Sequence, residues 1–574
     1  MADPVSERPR FWTAAVALSL LVTGCAGMPT GGGVHLGRAL PAAGGLDDLN
    51  IRVLPPSWKA GLEPLAVVSG FLRATVNDDD NYAIARSYLT GTGASRWRPS
   101  DGITVYDEVA LHVGDTAAAN GSRSTVQLQA PRIGHIDRRG EFVPEPGRLV
   151  AGFSVIRSNG SWRIDRAPDG VLLSSSDAQR SFHAADVYYL NKSGATLVAD
   201  QILLQNSQRG VATALVSALL SGPSSWLAPA AHMALPVHTS LIGNVPVNAS
   251  GVADVNLSAS VRQASAKELA AFSAQLVWTL RQISDVTAVR LLAEGAPLTV
   301  PGAAVRQPIG SWQRYDPSAP PSSHDVLYVR HGHLAATGGD VPALARSDPG
   351  RVISVGRSRD GDTLAVVQQM PSGMRLLTGG YGQRLTPRLS AATLTPPTFD
   401  ADGDIVTVAS GPAGRRVMAV IAGGGARRIP ADAALTAQPI LDLKISRDGA
   451  RVAAVVGTGR LLIGRVAADS PLPALGGFRS ITPSLTGVRG LSWAGAEELA
   501  VTASAAAGQR QVVVTDADGY APRSLSLERL QGRPVDVDGA PGQPLIAVTD
   551  RGVIWAQVEG WRRIAAGRAA VHSG

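Results

Sequence analysis

One feature constrains the fold of this chain more than any other: a tandem repeat through its C-terminal part. The segments ISVGRSRDGDTLAVV, PTFDADGDIVTVAS, LDLKISRDGARVAAVV, GLSWAGAEELAVTA and VDVDGAPGQPLIAV each read as strand, polar turn, strand. With Asp360, Asp402, Asp448, Gly495 and Asp538 as turn markers, the steps are 42, 46, 47 and 43 residues. That is the length of one four-stranded propeller blade. Outer strands follow in MRLLTGG, RVMAVIAGG, RLLIGRV, RQVVVTDADG and GVIWAQVEG. The pattern predicts a β-propeller of five or six blades over 324–574, with DVLYVRHGHLAAT from Asp325 either forming a sixth blade or closing the ring. Closure leaves only short, protected strand edges.

A chain of 574 residues is too long for one core and divides into several domains. Two smaller β-containing units precede the propeller. Over 56–183, EPLAVVSGFLRATVNDDDNYAIARSYLT predicts two short helices bent at Asn77 to Asn81, followed by strands in GITVYDEVALHV, STVQLQAPRIGHI and GRLVAGFSVIRSNGSWRID. Asn159-Gly160 is a hairpin turn. This order predicts an α+β, cone-like domain. Asp78, Asp79 and Asp80 lack the alternating spacing of a calcium loop and read as a solvated turn and helix cap. Over 184–302, DVYYLN and TLVADQILL read as strands, and RGVATALVSALLSGPSS as a helix stopped at Gly222-Pro223. LIGNVPVNASGVADVNLS reads as a hairpin through Ser250-Gly251. Ser265 and Glu268 have capping-box spacing before a second helix, and AVRLLAEGAPL returns as a strand. The prediction is a small α/β sandwich, joined to the propeller by a linker over 303–323. The chain as a whole is therefore expected to be multidomain and β-rich.

The single cysteine, Cys25, ends a leader with the plan of an export signal. Arg8 and Arg10 precede an apolar run from Phe11 to Val22, and Thr23 and Gly24 precede the thiol. The run spans roughly 18 Å as a helix, short of a ~30 Å hydrocarbon core, so cleavage is expected between Gly24 and Cys25. Val22-Thr23-Gly24-Cys25 resembles the bacterial lipobox, which makes Cys25 the site of S-diacylglycerol and N-acyl attachment. Two acyl chains or more give stable membrane residence, where one gives only reversible binding. The expected domains are thus a signal peptide over 1–24 and a lipidated, flexible tether over 25–55. At about 25 residues, the Gly-, Pro- and Ala-rich part of the tether reaches roughly 25–30 Å.

Charge and motifs exclude more than they assign. The net charge is +7 and the basic residues are almost all scattered arginines, without the stripe or tail of a nucleic-acid binder. His331 and His333, with His324 nearby, are the one histidine cluster and lack a third ligand of known position, so exposed strand or turn positions are expected. Asp400 to Asp404 and Asp516 to Gly519 fall short of a full calcium loop and read as blade turns. The glycine runs at Gly31 and Gly423 read as loops. Trp58, Trp97, Trp162, Trp226, Trp278, Trp312, Trp493, Trp555 and Trp561 are assigned to packing rather than to a glycan surface. No catalytic, metal or cofactor motif is found.

The lipobox, the two leading domains and the propeller together resemble the LpqB family of lipoproteins from high-GC Gram-positive bacteria. The middle domain resembles GerMN domains in VYYLN, ALLSGPSSW, DVNLS and QLVWTLRQISDVTAVRLLAEG. The resemblance implies a non-catalytic lipoprotein on the outer face of the cell membrane. It implies further that the lipoprotein acts on the extracytoplasmic part of a sensor kinase, MtrB, paired with the regulator MtrA. Only Cys25 carries over as a functional residue. Two other readings stay open: a wall-glycan-binding protein, and a propeller-based hydrolase with residues donated by several blades.

Overall fold

The computed structural model describes residues 55–107, 110–113, 122–339, 341, 350–421, 424–467, 473–482, 485–504 and 508–572. Gly24, Cys25 and the glycine run at Gly31 lie outside the described residues, as does Gly423.

The repeat folds as six sheets around one axis. Five of them lie in sequence, over 351–391, 393–429, 440–480, 491–524 and 534–566, here blades 2 to 6. Blade 1 combines the two ends of the propeller sequence: Leu327–Arg330 pairs with His333–Ala336 on one side and with Arg568–Val571 on the other. The segment from Asp325 therefore both supplies the sixth blade and closes the ring. Alternation of side chains across a strand explains how the blades adhere. In Arg451–Val456, Val452, Ala454 and Val456 pack toward blade 3, while Ala453 and Val455 pack toward blade 5. Corresponding apolar layers lie between every other pair of neighbours, including blades 6 and 1.

In the first domain, helices Pro64–Ala74, Asp79–Ser87 and Gly91–Arg96 pack on a six-stranded sheet dominated by Arg123–Ile136 and Phe142–Ser158. Asn159 and Gly160 both have positive φ in the expected hairpin turn. The acidic run forms the expected turn but not the expected cap. The Asp78 side chain caps nothing and accepts the Ser207 hydroxyl at 2.9 Å, while Asp80, Asn81 and Tyr82 form a left-handed turn.

In the second domain, helix Ala266–Leu280 is buried from Leu269 to Leu280 among the strands and the helix Val211–Leu220. The capping box of Ser265 and Glu268 is formed. The hairpin expected through Ser250-Gly251 is reduced to isolated bridges; Val252–Leu257 instead pairs in parallel with Ala288–Ala293, which buries both strands under the helix. Residues 303–323 are packed rather than loose. Tyr315 belongs to the middle core, and Pro320 and Ser322 reach the propeller.

The cores continue across domain boundaries. Ala450 of the propeller packs in the middle core, and Tyr520 of the propeller and Leu203 of the middle domain pack in the first. Arg451 Nη2 donates to the Ala199 carbonyl at 2.5 Å and Trp226 Nε1 to the Gly477 carbonyl at 2.8 Å. Gly140, at φ +83°, leaves 2.7 Å between a would-be Cβ and the Leu203 carbonyl, so no other residue fits that crossing.

Candidate functional site

The first strand of each of blades 2 to 6 lies nearest the axis, and in blade 1 the C-terminal strand Arg568–Val571 takes that place. At one end these strands run out into the polar turns that marked the repeat. They surround a cavity of about 520 Å³, a size that suits a small ligand.

Ser358-Arg359-Asp360-Gly361 in blade 2 and Ser446-Arg447-Asp448-Gly449 in blade 4 are the same turn, with the serine hydroxyl bonded to the aspartate. The aspartate is tied into the turn, which leaves the arginine between them to project over the mouth. Arg357, 8% exposed, donates through Nε to the Gly361 carbonyl and lies 4.6 Å from the Tyr381 ring centroid. Its Nη1 is buried and, among the described residues, has no hydrogen-bond partner. Arg359 Nη2 donates to the Asp316 carbonyl at 2.9 Å, and Arg447 Nη2 to the Ala319 carbonyl at 3.4 Å. Burial, and then the like charge of Arg359, push Arg447 down to about 10.

The carboxylates of the mouth are mostly engaged. Asp360 accepts the Ser358 hydroxyl and the Asp362 amide, which hold its carboxyl below the usual range. Asp400 accepts the amides of Asp402 and Asp404 while burial pushes it up to about 6. Asp538 accepts the His572 amide at 2.7 Å and the Ser492 hydroxyl at 3.1 Å. Along the channel wall, burial raises Asp442, and burial with Asp442 and Asp538 nearby raises Asp536 to about 7. Lys444 Nζ lies 3.9 Å from Asp442, and Trp493 donates to the Lys444 carbonyl.

The residues singled out in the sequence distribute differently. His331 sits at the left-handed hairpin turn of blade 1, His331 and His333 are exposed, and His324 Nδ1 contacts Gln543 Nε2. Among the described residues no cluster of metal-ligating side chains forms. Asp400 to Asp404 is a blade turn, as expected. Asp516 to Gly519 is a turn too, but one buried between domains. Trp97, Trp162, Trp278, Trp493, Trp555 and Trp561 are buried. The sequence reading missed Arg357, Arg359 and Arg447, although the repeated Ser-Arg-Asp-Gly turn was in view.

Fold and mouth together define a class: a β-propeller protein carrying two smaller α/β-type domains ahead of the ring. Three family models match in chain order: the N-terminal domain of lipoprotein LpqB over residues 57–179, a sporulation and spore germination domain over 186–299, and the LpqB β-propeller domain over 333–571. The chain belongs to the LpqB lipoprotein family. Among its relatives, lipoprotein LpqB of Thermobifida fusca is 28% identical, with 97% of each chain covered. That of Streptomyces coelicolor is 28% identical over 98% of this chain and 97% of the relative. Of solved structures, TolB from Acinetobacter baumannii aligns at 14% identity and a TM-score of 0.35, covering 54% of this chain and 86% of that one. The first GerMN domain of GerM from Bacillus subtilis aligns at 24% identity and a TM-score of 0.19, covering 22% of this chain and 92% of that one.

Proposed function

We propose that this chain is a lipid-anchored, non-catalytic protein of the outer membrane face, where it modulates a sensor kinase by binding the kinase's extracytoplasmic part. The observation that carries this reading is the continuity of the cores across all three domains. A ligand or partner engaged at the propeller is thereby engaged by one body. The Val22-to-Cys25 motif and the lipoprotein name of the relatives support the anchor. Among the described residues no helix is long and apolar enough to cross a membrane. Modulation requires only that one signalling state of the kinase be bound better than the other, typically by 1–3 kcal/mol. In-cell crosslinking from exposed propeller and middle-domain positions is expected to capture a sensor kinase of the MtrB kind. Recovery of the lipoprotein from membranes with no kinase attached argues against the reading. For the anchor, palmitate labelling is expected in the wild type and not in Cys25→Ala.

A hydrolase reading draws on one observation, the raised carboxyls of Asp442 and Asp536 in the channel, since a carboxyl titrating near neutrality can serve as a general acid. Release of soluble fragments from purified cell wall by the wild type, and not by Asp536→Asn, is the result it requires.

A further inference from the structure

We propose that the propeller mouth is a binding site for an oxyanion, a phosphate or carboxylate carried by a small polar molecule, held by Arg357, Arg359 and Arg447. The inference is independent of the kinase reading, because it concerns only what the isolated chain binds.

Three guanidiniums line one cavity, and the backbone puts them there: Arg357 ends the axial strand of blade 2, and Arg359 and Arg447 occupy equivalent positions in two copies of the same turn. Among the described residues no ion pair joins Arg357 or Arg359 to a carboxylate. Among the described residues, their hydrogen bonds go to the carbonyls of Gly361 and Asp316. A buried guanidinium with an unsatisfied N–H is costly unless something supplies an acceptor, and Arg357, one of the residues lining the cavity, has such an N–H at Nη1 among the described residues. Arginine's planar fork matches the oxygens of phosphate and carboxylate. Arg359 and Arg447 also repel one another, an unfavourable term that a bound anion relieves.

The acidic groups of the same cavity offset part of this, since Asp538, together with Asp316, favours the charged form of Arg447, but most of their oxygens are already engaged. Asp360, Asp400 and Asp538 point their oxygens at their own turn amides, at Ser358 and Ser492, and at His572. Asp402 is exposed at the rim and is the carboxylate positioned to oppose an anion from the edge. At about 520 Å³ the mouth has room for a molecule larger than a free ion, with Phe399 and Trp493 in its wall.

The test is isothermal titration of the purified full chain in detergent with four probes: inorganic phosphate, glucose 1-phosphate, glucuronate and glucose. Binding of a phosphate or of glucuronate, without binding of glucose, is expected. Preference between them tells a phosphoryl source from an acidic sugar, and either supports the site. Affinity should fall about tenfold or more in Arg359→Gln and in Arg447→Gln, fall with added salt, and rise in Asp402→Asn. Arg357 also packs inside blade 2, so Arg359→Gln with an unchanged urea midpoint is the decisive variant. Absence of binding by all three anions overturns the proposal, as does binding that Arg359→Gln and Arg447→Gln leave unchanged. Neither result bears on kinase capture.

Discussion

The propeller mouth and the junction of the three domains are built from the same residue types and do opposite things. Both gather arginines and carboxylates on propeller turns. At the mouth they surround about 520 Å³; at the junction, Glu141 of the first domain, Asp200 of the second and Arg451, Arg479, Glu497, Asp516 and Asp518 of the propeller enclose about 20 Å³. Arg451, 3% exposed, pairs with Asp448 and Glu497 and bonds the Ala199 carbonyl. At the mouth, among the described residues, no ion pair joins Arg357 or Arg359 to a carboxylate, whereas carboxylates outnumber cations at the junction. A closed cluster of charge is a lock, because each member depends on the others for compensation. The open one, whose Arg357 and Arg359 hydrogen-bond only to carbonyls among the described residues, leaves room for a ligand.

The comparison breaks first at Arg451. Arg451→Met leaves Glu497, Asp448, Asp186 and Asp200 without their shared cation, and a loss of about 3–5 kcal/mol is expected, read as a lower urea midpoint. Adding Glu497→Gln should recover part of it. If Arg451→Met costs no more than a substitution at the mouth, the junction is not a lock.

Proton titration sharpens the same contrast. Burial pushes Glu141 up to about 7, Asp516 to about 8 and Asp518 to about 6, with neighbouring carboxylates adding to the rise at Glu141 and Asp516 and Arg479 opposing it at Glu141 and Asp518. A carboxyl raised in the folded state holds a proton that the unfolded chain releases near pH 4. Its contribution is therefore complete below about pH 4 and is lost as the pH rises through 6 to 8. Thermal melts are expected to show Tm falling by a few °C between about pH 5.5 and about pH 8.5. Asp516→Asn should flatten that slope, and a Tm that climbs over the same range contradicts the direction.

Why the sequence showed the ring and hid the lock follows from where each signal resides. A blade is one supersecondary unit, so Asp360, Asp402 and Asp448 recur at its period and count it. Runs such as Arg451–Val456, apolar on both faces, announce neighbours on both sides. The junction has no such local mark. Asp516-Ala-Asp-Gly519 has the composition of an exposed turn, and it is covered by residues distant in sequence, among them Phe142, whose ring lies 5.3 Å from that of Tyr520. The same holds for Asp78, whose partner Ser207 belongs to another domain. The mouth is intermediate. The repeated Ser-Arg-Asp-Gly turn is local, but that its arginines converge depends on ring closure by Arg568–Val571.

Two smaller effects test the contrast residue by residue. Trp226 sits on the junction, donating to the Gly477 carbonyl at 2.8 Å with the Arg479 guanidinium 4.3 Å from its ring centroid. Trp226→Phe keeps an aromatic ring and removes the donor, so about 1 kcal/mol of stability should be lost, again in the urea midpoint. Arg359→Gln is the counterpart at the mouth. It removes a half-buried side chain that donates to one carbonyl, that of Asp316, and it lessens the repulsion on Arg447. These terms oppose each other, so stability should stay within about 0.5 kcal/mol of the wild type. A protein that tolerates losing this arginine without ligand has not kept it for folding. If Arg359→Gln instead unfolds as readily as Trp226→Phe, the mouth is a second lock and its arginines are structural.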